Sequence, residues 1–267
     1  MLEITNVTKT FLKGTPDEQT ALDDLTLSLS DGEFITIVGS NGAGKSTLFN
    51  AIGGTFMPDR GRIVLNSKDI TYMPEHRRAH LVGRLFQDPM KGTAPDLTIE
   101  ENLALAYNRK SGGALRRAVG KKETELFHSA LAGLDMGLEE RMKTKVGLLS
   151  GGQRQAVTLL MATLGRPALL LLDEHTAALD PAAAEKIMRL TSDITAKEGL
   201  SVMMITHNVR SALKTGTRTV MMDAGRIILD ISGKEREEMT VPRLMELYSR
   251  KSGGLQPDTD RMLFTKQ

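Results

Sequence analysis

The chain has 267 residues, of which 40% are hydrophobic and 25% charged, as in an ordinary globular protein with a sizeable buried core. Its 35 basic and 33 acidic residues leave a net charge of +2, so bulk charge gives no reason to expect a nucleic acid or an anionic membrane as a direct partner. The absence of cysteine excludes disulfides, thiolate zinc sites and iron–sulfur ligation by this chain, and it is typical of a reducing compartment.

The first part of the chain reads as strands around a glycine-rich loop. Apolar and polar residues alternate in Met1 to Val7 and in Ala21 to Leu29, which predicts two antiparallel strands. Phe34 to Val38 is an apolar run that predicts a buried strand. It feeds the glycine-rich loop, after which a helix is expected over Lys45 to Ile52. A further strand is predicted at Arg62 to Leu65.

The rest of the chain predicts a helical part followed by a mostly parallel sheet. From Leu97 to Gly165 the apolar spacing is helical, and afterwards short apolar runs alternate with helices, a rhythm typical of α/β proteins. These runs are Leu169 to Leu172, Val202 to Ile205 and Val220 to Met222, with helices around Ala182 to Lys197 and Val209 to Lys214. We expect a nucleotide-binding domain over residues 1–252, with a helical subdomain at about 96–165, and a loosely packed tail at 253–267.

The glycine-rich loop from Gly39 to Ser46 fits the pattern G-x-x-x-x-G-K-[ST] between a predicted strand and a predicted helix. Glycines let the backbone point several N–H groups at phosphate oxygens, and the helix N-terminus adds a favourable dipole. Lys45 is expected to reach the β and γ phosphates of ATP, and Ser46 to offer its hydroxyl to Mg²⁺. The predicted nucleotide-binding residues here are Gly39, Ser40, Asn41, Gly42, Ala43, Gly44, Lys45, Ser46 and Thr47.

Two adjacent carboxylates, Asp173 and Glu174, end the apolar run that begins at Leu169. Because strand side chains alternate in direction, the two acids cannot serve one purpose. Asp173 is placed to hold the Mg²⁺ shell, and Glu174 can turn toward the γ-phosphate and polarise the attacking water. The alternative is that the two acids only mark the end of a strand that is exposed to solvent. Together with the phosphate-binding loop, the acids indicate a P-loop NTPase without choosing among kinases, GTPases and motors.

A third motif, Leu149-Ser150-Gly151-Gly152-Gln153, precedes an amphipathic helix, so its N–H groups form a second anion site. With this motif the chain resembles the nucleotide-binding subunits of ATP-binding-cassette (ABC) transporters, whose signature it is. The resemblance spans nearly the whole chain and includes, in the expected order, Phe11, the P-loop, Gln87, the signature, the acid pair, Ala178-Leu179-Asp180 and His207. It implies a P-loop core with a mostly parallel sheet, an N-terminal antiparallel β subdomain and an inserted α-helical subdomain. One departure is His175, which stands where proline is usual.

The resemblance also implies roles for individual residues. Phe11 stacks on adenine, Gln87 contacts Mg²⁺ or the attacking water, and His207 contacts the γ-phosphate, so that Glu174, His207 and Gln87 form the catalytic set. Taken singly, Phe11 and His207 would more often be packing residues. The residues that meet the nucleotide of the opposite subunit or support the contact between subunits are Ser150, Gly151, Gly152, Gln153 and Asp180.

In this family the signature of one subunit completes the ATP site of the other, so the resemblance implies a head-to-tail pair, with an identical or a related cassette as the second member. It further implies a separate membrane permease and, indirectly, a solute-binding protein; no nucleic acid is expected. The longest apolar runs are far short of the ~20 residues that cross a bilayer, and Met1 to Thr10 contain no signal-peptide core. We therefore expect a peripheral protein at the cytoplasmic face of the membrane, held there by the permease.

A narrower resemblance lies in Arg84 to Pro95 and in the Asp-Glu-His-Thr run at 173–176. Both are similar to a bacterial subgroup of tryptophan/tyrosine-type uptake systems, which implies an energy-coupling importer subunit, with an amino acid as cargo, whose permease contact lies at Asp88 to Thr98. The alternatives are a non-transport cassette protein working in assembly or on DNA, and an exporter. The sequence lacks the coiled-coil insertions, zinc cysteines or second cassette of several non-transport members, and exporters more often fuse cassette and membrane domain in one chain.

Overall fold

The computed structural model describes residues 1–107 and 120–251, and the predicted tail at 253–267 lies outside them. The strands in chain order are β1 Leu2–Phe11, β2 Gln19–Leu29, β3 Phe34–Gly39, β4 Arg60–Leu65, β5 Lys68–Asp69, β6 Val82–Leu85, β7 Leu169–Asp173, β8 Ser201–Ile205, β9 Arg218–Asp223 and β10 Arg226–Ser232. The α-helices are α1 Lys45–Gly53, α2 Glu75–Arg78, α3 Ile99–Tyr107, α4 Lys121–Ala132, α5 Gly151–Leu164, α6 Pro181–Glu198, α7 Val209–Lys214, α8 Gly233–Glu237 and α9 Val241–Lys251.

The described residues form two compact units, one of residues 1–78 and 201–251 and one of residues 79–107 and 120–200. In the first unit β2, β1, β4 and β5 form an antiparallel sheet in that order. This confirms the predicted antiparallel strands, although β1 runs past Val7 to Phe11. Its pairing with β2 is irregular between Ile4 and Thr10, so the strict alternation used for the prediction ends before the strand does.

The first unit also contains strands of a second sheet, in which β10, β9, β3 and β8 lie side by side in that order. Strand β3 pairs in parallel with both β8 and β9, whereas β10 pairs antiparallel with β9. Ile35, Ile37 and Val38 of β3 are at most 1% exposed, which suits a strand covered on both faces. The mostly parallel sheet is therefore confirmed in this unit.

The second unit pairs β6 and β7 in parallel and carries helices α3 to α6. Its core is a cluster of buried side chains from these helices and the segments between them, including Leu103, Phe127, Val157 and Ile187, each fully buried. The helical spacing seen between Leu97 and Gly165 thus corresponds to α3, α4 and α5, each of which turns apolar residues inward.

The sequence prediction omitted the last elements, β10, α8 and α9. Strand β10 has a single deeply buried residue, Ile231, so it lacks the continuous apolar run that marked β8 and β9. Helix α9 is mostly polar and buries only Leu244 and Tyr248 fully. None of the helices in the described ranges is both long and apolar enough to span a membrane.

Candidate nucleotide site

The predicted phosphate-binding loop lies between β3 and α1. Gly44 precedes α1 with φ 97°, and a Cβ there would lie 2.4 Å from the Ala21 carbonyl oxygen. Gly39 is equally restricted, because a Cβ there would lie 2.3 Å from the Met222 carbonyl oxygen. Glycine is therefore required at both positions for the loop to keep this path. The ammonium of Lys45 donates to the carbonyls of Gly39 and Ser40, both at 2.8 Å, which folds the lysine back along its own loop.

Phe11, the predicted adenine platform, is 37% exposed. Its ring meets that of Phe56 edge to face, with centroids 5.3 Å apart, and the Lys9 ammonium lies 5.6 Å from the Phe11 centroid and 5.4 Å from that of Phe56. Edge-to-face packing fixes one side of an aromatic ring. Phe56 and Lys9 were not predicted from the sequence, since an isolated aromatic and a lysine on a strand carry no motif.

His207 follows β8 in the first unit. The register pairs Ile205 of β8 with Ile37 of β3, and the amide of Thr206 donates to the Ile37 carbonyl at 3.1 Å. Since β3 and β8 run parallel, His207 and the phosphate-binding loop emerge from the same edge of the sheet. That edge, at the carboxyl ends of the strands, is where α/β proteins bind ligands.

The predicted metal and catalytic residues of the second unit also share a sheet edge. Leu85 of β6 pairs with Leu172 of β7, so Asp173, the last residue of β7, and Gln87, shortly after β6, lie at the ends of neighbouring parallel strands. The Asp173 carboxylate lies 3.6 Å from the Arg84 guanidinium, and both side chains are largely buried. The oxygen donors of Asp173 and Gln87 are of the kind that Mg²⁺ prefers, because Mg²⁺ binds one or two carboxylates and keeps waters and phosphates as its other ligands.

Glu174 has a left-handed backbone, φ 46°, which is uncommon for a residue with a side chain. Such conformations cost about 1–3 kcal/mol and cluster at functional sites. The turn is closed by the amide of Ala177, which donates to the Glu174 carbonyl at 2.9 Å. Eight other non-glycine residues in the described ranges share this conformation, so the backbone of Glu174 agrees with the assignment from the motif without identifying the residue by itself.

His175 is fully buried, and this burial lowers its pKa from 6.5 to about 4. Its Nε2 lies 3.2 Å from the hydroxyl of Thr191 in α6. That hydroxyl already donates to the Ile187 carbonyl at 2.8 Å, so it accepts a hydrogen bond from a neutral His175 protonated on Nε2. The residue that departs from the family pattern therefore ties the loop after Glu174 to α6.

The signature motif forms the N-terminus of α5. Ser150 is the N-cap, and its hydroxyl accepts from the Gln153 amide at 3.3 Å while the Gln153 side chain accepts from the Ser150 amide at 3.2 Å. This reciprocal pair is a capping box, and the Ser-x-x-Gln spacing could have predicted it. Asp180 is likewise an N-cap, because its carboxylate accepts from the Ala183 amide at 3.0 Å at the start of α6.

The predicted residues are divided between the two compact units. Phe11, residues 39–47 and His207 belong to the first unit, and Gln87, residues 150–153, Asp173, Glu174 and Asp180 belong to the second. The prediction missed Asp223 and Tyr248, whose side chains connect to Ser40 of the phosphate-binding loop. They lie far along the chain from the loop, so no local pattern could have revealed them.

Comparisons with known proteins agree with these motifs. The family model described as "ABC transporter" matches residues 22–177. A tyrosine transport ATP-binding protein of Clostridioides difficile is 41% identical over 248 residues, covering 93% of this chain and 98% of the relative. A xylose/arabinose import ATP-binding protein of Sulfolobus acidocaldarius is 34% identical over 250 residues, covering 93% and 94% of the two chains.

Solved structures show the same fold. One is the dimeric post-hydrolysis state of an ATP-binding cassette bound to ADP and Pi, which is 30% identical, has a TM-score of 0.74, and is matched over 87% of this chain and 98% of its own. The N-terminal antiparallel sheet, the parallel strands and the helices of the second unit are thus those of an ABC ATPase cassette. This chain belongs to the ABC transporter family, as an ATP-binding subunit that hydrolyses ATP.

Proposed function

We propose that the chain is the energy-coupling ATPase of a bacterial importer and that it dimerises on ATP to drive a separate membrane permease. The observation that carries the proposal is the presence, in one chain, of a P-loop ahead of α1 and a signature motif at the start of α5. Both are helix N-termini suited to phosphate. In a head-to-tail pair of cassettes, the P-loop of one subunit and the signature motif of the other would both contact the phosphates of the same ATP.

Within each ATP site we assign the roles by residue chemistry. Lys45 would neutralise the β and γ phosphates of ATP, and Ser46 and Asp173 would hold Mg²⁺, with Gln87 as a further oxygen donor. Mg²⁺ held in this way would compensate charge at the transferring phosphoryl group. Glu174 orients and activates the attacking water, and His207 donates to a γ-phosphate oxygen.

The cargo is proposed to be an amino acid of the aromatic class. The support is the 41% identity, over nearly the full length of both chains, to a protein named for tyrosine transport. The permease and the solute-binding protein would select this cargo. We propose that the chain sits peripherally on the cytoplasmic face of the membrane and meets the permease through Asp88 to Thr98, a segment that includes the exposed Met90.

The catalytic assignment is tested by Glu174→Gln. Loss of the base should slow hydrolysis by about 10²–10⁴-fold while ATP still binds, because general base catalysis contributes about that much. The variant should therefore accumulate as an ATP-bound dimer, measured by light scattering coupled to size-exclusion chromatography. Glu185→Gln, an exposed carboxylate on α6, is the matched control and should behave as wild type. A Glu174→Gln protein that stays monomeric in saturating ATP, or hydrolyses it at the normal rate, contradicts the proposal.

The cargo is tested by transport. Cells lacking this chain should take up radiolabelled tyrosine or tryptophan more slowly, and wild-type protein but not Glu174→Gln should restore the rate. Labelled xylose serves as the control solute, because a relative of similar coverage is named for sugar import. Restoration of xylose uptake alone would overturn the amino acid assignment and leave the ATPase assignment intact.

A further inference from the structure

A chain of hydrogen bonds leads from the C-terminal helix α9 to the phosphate-binding loop. The hydroxyl of Tyr248 donates to the Oδ1 atom of Asp223 at 3.0 Å, and the hydroxyl of Ser40 donates to the same oxygen at 3.4 Å. Asp223 ends β9, whose Met222 carbonyl is the atom that leaves no room for a side chain at Gly39. The three residues belong to the same compact unit.

Ser40 is held at both of its polar ends. Its hydroxyl bonds to Asp223, and its carbonyl accepts from the Lys45 ammonium at 2.8 Å and from the Ala43 amide at 3.2 Å. The turn after β9 makes a second contact with the loop, because the Gly225 amide donates to the Ala43 carbonyl at 3.1 Å. The end of β9 and the turn after it therefore contact the loop at two points, the Ser40 hydroxyl and the Ala43 carbonyl.

Tyr248 is placed for this contact by packing. It is 3% exposed and belongs to a cluster with Val38 of β3, Met221 of β9 and Leu244 of its own helix. Burial raises the pKa of its phenol, so the hydroxyl keeps its proton and acts as the donor toward Asp223. A tyrosine at this depth keeps its hydroxyl bonded, since a buried polar group without a partner is costly.

We propose that Tyr248 is a positioning residue for nucleotide binding: its hydroxyl holds Asp223 in the orientation that fixes Ser40 and thereby pre-forms the phosphate-binding loop. The inference rests on the proposed binding of nucleotide phosphates by this loop. Tyr248 and Asp223 both lie beyond residues 22–177, the segment that the family model matches. Through Tyr248, helix α9 thus adjusts the nucleotide affinity of the phosphate-binding loop, which lies near the other end of the chain.

The test is Tyr248→Phe in the full chain, which removes the hydroxyl and keeps the ring in its cluster. We expect the dissociation constant for Mg-ADP, measured by calorimetry, to rise about 2- to 10-fold, the range that corresponds to one hydrogen bond. The KM for ATP should rise by a similar factor, and kcat at saturating ATP should change much less. Ser40→Ala should weaken ADP to the same degree, and the double variant should be no weaker than either single one.

Leu244→Ala is the matched control, because it loosens the packing of the same helix and keeps the Tyr248 hydroxyl. It should lower the melting temperature and weaken ADP binding clearly less than Tyr248→Phe does. The inference is overturned if Tyr248→Phe binds ADP like wild type, if its effect adds fully to that of Ser40→Ala, or if Leu244→Ala weakens ADP as much. Should Tyr248→Phe not fold, Asp223→Ala replaces it in the same comparison.

Lys45→Ala separates this inference from the proposed function. If Lys45→Ala binds ADP as well as wild type does, the loop is not the phosphate site and the proposed function fails. If Lys45→Ala loses ADP while Tyr248→Phe keeps it, the proposed site stands and only the role of Tyr248 is wrong.

Discussion

At the scale of single residues, sequence motifs predicted the groups that we propose to carry chemistry, but not the groups that contact them in the structure. Glu174 and Lys45 were predicted because their spacing to neighbouring glycines and apolar runs is local. Tyr248 is separated from Ser40 by most of the chain, and its contact exists only after the sheet has formed. His175 illustrates the same limit, because its partner Thr191 lies sixteen residues away on α6.

The bond between His175 and Thr191 predicts a coupling that mutation can measure. Thr191→Val removes both the acceptor for His175 and the bond from the threonine hydroxyl to the Ile187 carbonyl. Thr195→Val removes only hydroxyl bonds to carbonyls of its own helix, those of Thr191 and Ser192. Thr191→Val should therefore be the more destabilising change, by about 1–3 kcal/mol, because a buried ring N–H is left without its partner. Urea unfolding at neutral pH measures the difference.

A double-variant cycle with His175→Ala supplies the control. Thr191→Val should cost little further stability once His175 is alanine, while Thr195→Val should cost the same in either background, as expected for uncoupled sites. Equal losses from the two threonine variants in the wild-type background would show that the His175 bond contributes nothing.

At the scale of elements, the end of α1 is completed by a buried arginine. Arg78 is fully buried, and its guanidinium donates to the carbonyls of Ala51 and Ile52 in the last turn of α1, at 2.6 and 2.9 Å. It also donates to the carbonyls of Met73 and Thr71. A cation at a helix C-terminus complements the macrodipole and satisfies carbonyls that lack partners within the helix. The helix whose N-terminus we propose to bind phosphate is thus anchored at its other end by Arg78.

Replacing this arginine should destabilise the protein strongly. Arg78→Met would leave several buried carbonyls without donors, and we expect a loss of about 3 kcal/mol or more in the free energy of unfolding. Thermal and urea denaturation check this. Arg77→Met, the exposed neighbour in α2, is the control and should fall within about 0.5 kcal/mol of wild type. A small effect at Arg78 would mean that water replaces the guanidinium at these carbonyls.

Elements were predictable from the sequence where burial is continuous. Strands β3, β7, β8 and β9 are apolar runs and were found, whereas β10 and α9 bury only one or two residues fully and were missed. The antiparallel strand β1 was found but ended too early, because its irregular pairing interrupts the alternation. Arg78 was not found either, since a charged residue on a short helix reads as a solvated surface.

At the scale of the whole molecule, the sequence predicted the α/β class, the antiparallel sheet and the ATPase family from the order of the motifs. It also predicted a helical subdomain at about 96–165, and these bounds stay a prediction. Packing contacts instead divide the chain after residue 78 and after residue 200. The second unit therefore contains strands and loops as well as helices. Such boundaries depend on packing among distant residues, and no local composition marks them.

Nucleotide binding should raise the stability of the whole chain. A ligand that binds only the folded state stabilises it by about 2.7 kcal/mol at a free concentration one hundred times its dissociation constant. Mg-ADP should therefore shift the melting temperature upward in the wild-type protein and in Lys68→Ala, which alters an exposed lysine of β5. Lys45→Ala should show no shift at the same concentration, as followed by differential scanning fluorimetry. An equal shift in Lys45→Ala would place the nucleotide elsewhere.

The capping box of α5 bears on how easily the proposed pair of cassettes could form and separate. It engages only the backbone amides of Ser150 and Gln153, and the amides of Gly151 and Gly152 at the same helix start take no part in it. In the proposed pair, a phosphate that meets these two glycine amides leaves the cap of about 1 kcal/mol in place. We therefore expect the first turn of α5 to keep the same backbone in the single chain and in the pair. Association and release of such a pair would then require no unfolding of α5.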